Sequence, residues 1–418
     1  MDRTYLITAA PQRMHIFRES IRRPSYLRRP TLLLGRIDSS QPATMAKAAR
    51  ARATPSLSGL LEEIVIWEIL VRLPPKALLH CRAVCRSWRS VTSTRGFLLA
   101  HHALQPALPL LDNGEYIDLI NNSIDICCLN NRPGLAAPDQ LQSVALLNLG
   151  GNFAYSHPVA SCDGILIFCI DDNDFFICNP ATRQYAPLLL PTDRRWTLLG
   201  MYPHTPTEEY RLLLYSYKPN PDNDDELAPG GQVSCHVFSL GSDQPPRRIG
   251  WPDVIMPECE HHVLFRGNLH WFPSHEDIEG KMIVLFDTTS ESFREMRVPV
   301  ADYAHLFEVD GKLGMTILDL ATTVDIWMLQ NYEREVWAFN CRIELPVPEI
   351  RGQTNNYDGP LDLDLVVVPG DGELLVLVKF AEWLLRVGMD GKLVATFHRK
   401  EVDPTYFQLK QSLVPHNF

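Results

Sequence analysis

No apolar run in this 418-residue chain approaches the 18 or so consecutive residues of a membrane-spanning helix, and the longest, such as "ELLVLVKF" from Glu373, are strand-sized. A soluble protein with no membrane partner is expected. The ten cysteines include no C-x-x-C pair and no regular spacing. A disulfide framework is therefore disfavoured, and a reducing compartment, cytoplasm or nucleus, fits thiols that serve as small buried hydrophobes. Catalytic signatures are missing too: there is no G-x-S-x-G elbow, no P-loop, no H-E-x-x-H and no G-x-G-x-x-G. An enzyme is disfavoured, and no cofactor is expected.

Charge is uneven along the chain. The net is −11, yet residues 1–52 hold eleven Lys or Arg against three acids, leaving 28 basic and 47 acidic residues for the rest. An acidic body repels phosphate backbones, so nucleic acid is not an expected partner. The head, residues 1–55, is interrupted by Pro11, Pro24, Pro30 and Pro42 and lacks apolar periodicity. It reads as disordered. A dispensable head with Met45 as the true start, a basic nuclear tail and an Arg-rich transit peptide all stay open as its role.

From Ser58 to about Leu104 the pattern is helical. Leu60, Ile64, Trp67 and Val71 form one apolar stripe, Glu62 and Glu63 fall in the first turn where the helix dipole favours acids, and Ser58 can cap the start. "LPP" at Leu73 to Pro75 ends this helix, because proline lacks the amide and constrains its predecessor. A second helical run opens at Lys76, and Arg86 to Thr92 can form a third. If the helix were continuous from Arg82, Val84, Trp88 and Val91 would share an apolar face, with Arg82, Arg86 and Arg89 opposite.

Beyond about residue 115 the period becomes that of strands. A unit recurs: an apolar strand, a turn with Gly beside Asp or Asn, a second apolar strand, a third ending in a turn, and a polar fourth. It is found in "SCDGILIFCIDDNDFFICNPATRQYAPLLLP" from Ser161, in the segments from Val263 and Leu306, and in that from Leu365, with another unit between the first two. Four short strands per unit is the size of a propeller blade. Gly164, Gly267, Gly311 and Gly372 are expected in tight hairpin turns needing positive φ. Five blades can be counted, and the segments from Glu115 and near "YFQLKQSLV" could supply a sixth that closes the ring. The expected fold is multidomain, α plus all-β: a helical module over residues 56–104 and an antiparallel β-propeller-like domain of five to six blades over 115–415.

Three clusters invite a metal reading, and each fails on spacing. Cys81 and Cys85 share a helical face beside His80, but two thiols are half a zinc site and no second pair follows. "ECEHH" at Glu258 to His262 runs into a strand, whose alternation prevents convergence. "NPDNDDE" from Asn220 has Leu227 and Val233 where a calcium loop needs Gly and Glu, so it reads as a solvated acidic loop. No metal site is expected.

The segment "LLEEIVIWEILVRLPPKALLHCRAVCRSWRSVTSTRGFLLAHH", with its "EIL.RLP" and "VC.SWR" elements, resembles the F-box, the module by which substrate receptors dock on the adaptor of Skp-cullin-F-box ubiquitin ligases. Residues from about 161 to 400, through "SCDGILIF", "CNPATRQ" and "LFEVDGKLGM", resemble the F-box-associated domain of plant F-box families. The resemblance implies a non-catalytic substrate-recognition subunit that binds a Skp-type adaptor and, through it, cullin, while its β domain recruits a target protein. It also implies adaptor contacts at Leu60, Leu61, Ile64, Leu73, Pro74, Val84, Cys85 and Trp88. Leu61 stands where the family usually has proline, which raises the entropic cost of ordering the first turn. The polar segments from Pro219 and Glu349 are candidate target-contact loops. The rival reading is an adaptor-independent propeller that binds a protein or glycan.

Overall fold

The computed structural model describes residues 62–112, 123–130, 140–148, 156–171, 174–220, 223–227, 233–250, 261–272, 282–299, 304–319, 322–353, 363–370, 374–400 and 402–416. The expected basic head, Ser58, Leu60, Leu61 and Gly372 lie outside them.

The first helix opens as α1 (Glu62–Ile64), widens into a π-turn over Val65–Ile69 and tightens to a 3-10 turn over Leu70–Arg72. It ends at Leu73, whose ψ of 146° is extended, as the two following prolines require. Pro75 occupies the first position of α2 (Pro75–Cys81), where the missing amide costs nothing. Cys85 caps α3 (Arg86–Thr92), and Thr94 caps α4 (Arg95–Leu104) by accepting from the Phe97 amide.

The strands form a ring of six four-stranded antiparallel sheets. The chain enters the last of them first, with β1 (Ala107–Asp112), β2 (Ser123–Leu129) and β3 (Leu141–Asn148). It then builds a blade from β4 (Ser156–Cys162), β5 (Ile165–Ile170), β6 (Asp174–Asn179) and β7 (Gln184–Leu188). The second blade uses β8 (Arg195–His204) and β9 (Glu209–Tyr217), then steps over a small hairpin of β10 (Pro219–Asn220) and β11 (Asn223–Leu227) to β12 (Ser234–Ser239) and β13 (Arg247–Gly250). Three plain meanders follow. They are β14 (Val263–Phe265) to β17 (Ser292–Arg297), β18 (Ala304–Val309) to β21 (Val336–Glu344), and β22 (Asp364–Pro369) to β25 (Leu393–His398). A short helix, α5 (Val347–Arg351), joins the last two. Finally β26 (Asp403–Lys410) returns to pair with β1, giving the order β26-β1-β2-β3.

The middle strands of a blade are covered on both faces, which is why several of them read as unbroken apolar runs. In β5 all six residues are buried. Leu166, Phe168 and Ile170 face the closing sheet, while Ile165, Ile167 and Cys169 face the second blade. In β16 (Met282–Asp287), Val284 and Phe286 pack back on the second blade and Ile283 and Leu285 forward on the fourth. In β23 (Leu374–Phe380), Val376, Val378 and Phe380 pack on the fourth blade and Leu375 and Leu377 on the closing sheet.

The inner hairpins use paired left-handed residues: Asp163 (φ 49°) with Gly164 (86°), Arg266 (50°) with Gly267 (72°), and Asp310 (50°) with Gly311 (68°). Two successive positive φ values match the right-handed twist of the flanking strands. The ring therefore has the antiparallel six-blade form, and its closure uses the two segments expected. It also takes up β1, eight residues ahead of the start expected at 115, and β3.

Gly164 and Gly311 differ in surroundings. A Cβ at Gly164 would meet Ser412 Cβ at 2.6 Å and the Ser412 amide nitrogen at 2.8 Å, whereas one at Gly311 meets nothing within 4 Å. Asn tolerates left-handed backbone, so Gly164→Asn should cost about 1–3 kcal/mol more than Gly311→Asn in thermal unfolding. Equal costs would show that the C-terminal segment is not held against this turn.

Candidate docking surface

The helical module has too few residues for a core of its own. Val65, Ile66, Leu70 and Val71 of the first helix, Leu78 of α2, and Phe97 and Leu98 of α4 form its interior, and Leu413, from beyond β26, completes it. Ala181 and Val414 pack at its edge. The module is thus seated on the ring through the end of the chain.

Polar contacts fix the seat. His102 presents Nδ1 to the Gln411 carbonyl oxygen at 3.1 Å and Nε2 to Asp163 Oδ1 at 3.3 Å. Tyr210 donates its hydroxyl to Asp163 Oδ2 at 2.9 Å. Lys410 Nζ donates to the Ala103 carbonyl, and Asn179 Nδ2 to that of Ser412. The His102 contact, with Tyr210 and Lys410 adding to it against the opposing effect of burial, holds the Asp163 carboxyl below the usual carboxylate range. Inside the module, burial lowers the His101 pKa, so the neutral ring donates from Nε2 to the Leu73 carbonyl at 2.8 Å.

With the interior assigned, several large apolar side chains are left on the surface. Ile64 is 41% exposed, Trp67 45%, Ile69 45% and Val84 67%. The single stripe of Ile64, Trp67 and Val71 expected from a regular helix does not form. The π-turn resets the phase, so Val71 goes inside while Ile64, Trp67 and Ile69 form an outer row. Trp67 still leans on the core, its ring 5.4 Å from that of Phe97.

Of the residues implied as adaptor contacts, Leu60 and Leu61 lie outside the described residues. Ile64 and Pro74 are exposed, and Leu73 is half-buried with its carbonyl taken by His101 and Gln105. Val84, Cys85 and Trp88 are not on one helix. α2 stops at Cys81, a turn spans 82–84, and α3 begins at Arg86. Val84 therefore stands out in the turn, while the Cys85 thiol accepts from the Trp88 amide at 3.4 Å and Trp88 lies half-buried at the core's edge. Arg82 is not part of a free cationic face, because it donates to Thr92 Oγ1 at 3.2 Å and to the Thr92 carbonyl at 2.6 Å, tying α2 to α3. Trp67 and Ile69 join the exposed surface unforeseen, since nothing in residue spacing announces a π-turn.

The other clusters resolve into packing. Glu258, Cys259 and Glu260 lie outside the described residues. His261 stacks on Tyr406 at 4.0 Å beside His305. Burial pushes His262 and His305 down to about 4 and holds His261 well below its ordinary value, so these rings are neutral. Among the described residues no group of three or more His, Cys, Asp or Glu is placed to hold a metal. The acidic segment from Asn220 is a hairpin rather than an open loop, and the segment from Glu349 begins inside α5.

An exposed apolar row on a small helical module, seated on a six-bladed ring, defines a two-part docking protein. Residues 63–104 match the F-box-like domain and residues 138–383 match the F-box associated beta propeller domain. The chain belongs to the F-box associated beta propeller family. It is similar to F-box protein At5g49610 of Arabidopsis thaliana, 24% identical over 67% of this chain and 77% of that one. It is likewise similar to F-box/kelch-repeat protein At3g04660 of the same plant, 22% identical over 73% and 79%. Among solved structures, apo AztD from Citrobacter koseri has a TM-score of 0.37 at 9% identity, over 73% of this chain and 97% of that one, a likeness too distant to bear on function.

The Asp163 contact has a pH signature. A carboxyl held below its ordinary pKa stabilises the fold above that ordinary value, about 4, and the contribution is lost as pH falls through the lowered one. Asp163→Asn should therefore lower the melting temperature at pH 7, with the gap from the parent closing as pH drops below about 4. Calorimetry at several pH values checks this; a pH-independent gap would mean that the carboxylate is not the stabilising element.

Proposed function

We propose that this chain is the substrate-recognition subunit of a Skp-cullin-F-box ubiquitin ligase, acting in the cytoplasm or nucleus. The F-box-like module docks on a Skp-type adaptor through its exposed apolar residues, and the propeller holds a target protein. The observation that carries the reading is that one F-box-like module and one propeller share a core, through Leu413, in a single chain. Such a receptor needs no nucleophile or base. It raises the effective concentration of a target lysine at the charged conjugating enzyme, and a fixed seat makes that concentration depend on geometry rather than on a flexible tether.

Within the docking module, the residues implied as adaptor contacts differ in what a substitution would disturb. Val84 projects from a turn and packs on little, so Val84→Asp should weaken adaptor binding by about tenfold or more while leaving the melting temperature unchanged. Trp88 is half-buried, so Trp88→Ala should cost about 2 kcal/mol of binding and lower the melting temperature as well. Calorimetric titration with purified adaptor, alongside thermal unfolding, separates the two. Full-strength binding by the Val84 variant would remove the 82–84 turn from the interface, and failure of the parent chain to bind any Skp-type adaptor would overturn the proposal.

A further inference from the structure

From Ile69 to Leu111 the sequence holds six Lys or Arg and no Asp or Glu, within a chain whose net charge is −11. The fold concentrates part of this imbalance. Where α2 faces the turn between β6 and β7, a groove of about 440 Å³ opens between the helical module and the first blade. Lys76, Arg82 and His80 line it from the module, Arg183 lines it from the blade, and no carboxylate lines it among the described residues. Lys76 and Arg183 are exposed and have no side-chain hydrogen bond or ion pair among the described residues. Arg82 is held rigid by Thr92, and burial, with the nearby Arg89 guanidinium adding to it, lowers its pKa. Leu79, itself exposed, and Leu413 give the groove apolar wall.

Unpaired cations above apolar wall, brought together from two halves of the molecule, call for an occupant with the opposite charge and matching apolar groups. We propose that this groove is a docking site for an acidic peptide segment of a partner protein, one in which carboxylate side chains alternate with apolar ones. An extended segment suits it: successive side chains point to opposite sides, so the carboxylates reach Lys76 and Arg183 while the apolar residues settle on Leu79 and Leu413. The apolar wall favours such a peptide over a polynucleotide, which would leave it uncovered. None of the residues implied as adaptor contacts lines the groove, so its occupant binds alongside the adaptor. Because the groove has one wall on the module and one on the ring, an occupant also braces the seat between them.

The test is fluorescence anisotropy with a labelled peptide alternating Glu and Leu, titrated with the full chain alone and with the full chain saturated with a Skp-type adaptor. Binding should appear in both arms, weaken as salt rises, and fall by at least about tenfold for the double variant Lys76→Glu, Arg183→Glu, in which like charges face the peptide. Both substituted residues are exposed, so the melting temperature should not move. Equal binding of a Lys and Leu peptide, preferential binding of an oligonucleotide, undiminished binding by the double variant, or displacement of the peptide by the adaptor would each overturn the proposal. The arm without adaptor stands whether or not the chain joins a ligase.

Discussion

The segment Asp403–Val414 holds this molecule together twice. As β26 it pairs with β1 in register from Ala107↔Lys410 to Asp112↔Asp403, supplying the inner strand of a sheet whose other three strands come from the opposite end of the described chain. Thr405 Oγ1 reinforces the pairing by donating to the Leu110 carbonyl at 2.7 Å. A few residues on, Leu413 is buried in the core of the helical module. A ring closed this way ties the first blade to the last and leaves only short inner edges shielded by the neighbouring blades. Because the same segment reaches into the module, neither part has its complete core until residues 403–414 are in place. Folding of the module and closure of the ring are therefore coupled, and local opening at the C-terminus costs both.

Inside the ring, the middle strands β5, β16 and β23 set the sequence requirements. Each must be apolar on both faces because it is covered by a blade on either side. The outermost strands meet solvent, and β7, β17 and β21 accordingly mix polar and apolar residues. Ion pairs bridge neighbouring blades where packing thins: Glu291, between the third and fourth strands of its blade, receives both Arg211 and Arg247 from the second blade. Tyr332 lies against the guanidinium groups of Arg266 and Arg294 at 5.4 and 5.5 Å and meets His270 Nε2 at 2.9 Å, linking the fourth blade to the third. Burial pushes His270 down to about 4, so this link stays neutral and intact across the physiological range.

Much of this was legible in the residue pattern, for identifiable reasons. Two-sided burial writes unbroken apolar runs, and Asp-Gly before such a run marks the hairpin, so the blades could be counted. The proline pair after Leu73 ended the first helix, and Arg86 to Thr92 folded as expected. Three features escaped. The π-turn over Val65–Ile69 moves Val71 inside and leaves Trp67 and Ile69 outside, a rotation that apolar spacing cannot disclose because both faces carry large apolar residues. The tie between α2 and α3 is made by Arg82 reaching Thr92, a contact between residues ten apart that no local periodicity encodes. The hairpin at Asn220 is written in polar residues, whose pattern is that of a loop. Features governed by burial were readable, and those governed by one side chain reaching another element were not.

A fixed seat bears on what the molecule can do as a receptor. If the module swung on a linker, a bound target would sample a large volume and its local concentration would fall as that volume grew. Here the joint is made from buried side chains, with Leu413 in the core and Asn179 donating to the Ser412 carbonyl, and the polar contacts of His102, Asp163 and Tyr210 sit at its rim. Buried packing sets where the module sits, because interiors tolerate little displacement. The rim sets its rotation, because hydrogen bonds are directional. Together they convert the direction of the docking row into the direction of the propeller, so a target held on the ring is presented at a defined place relative to whatever the module binds.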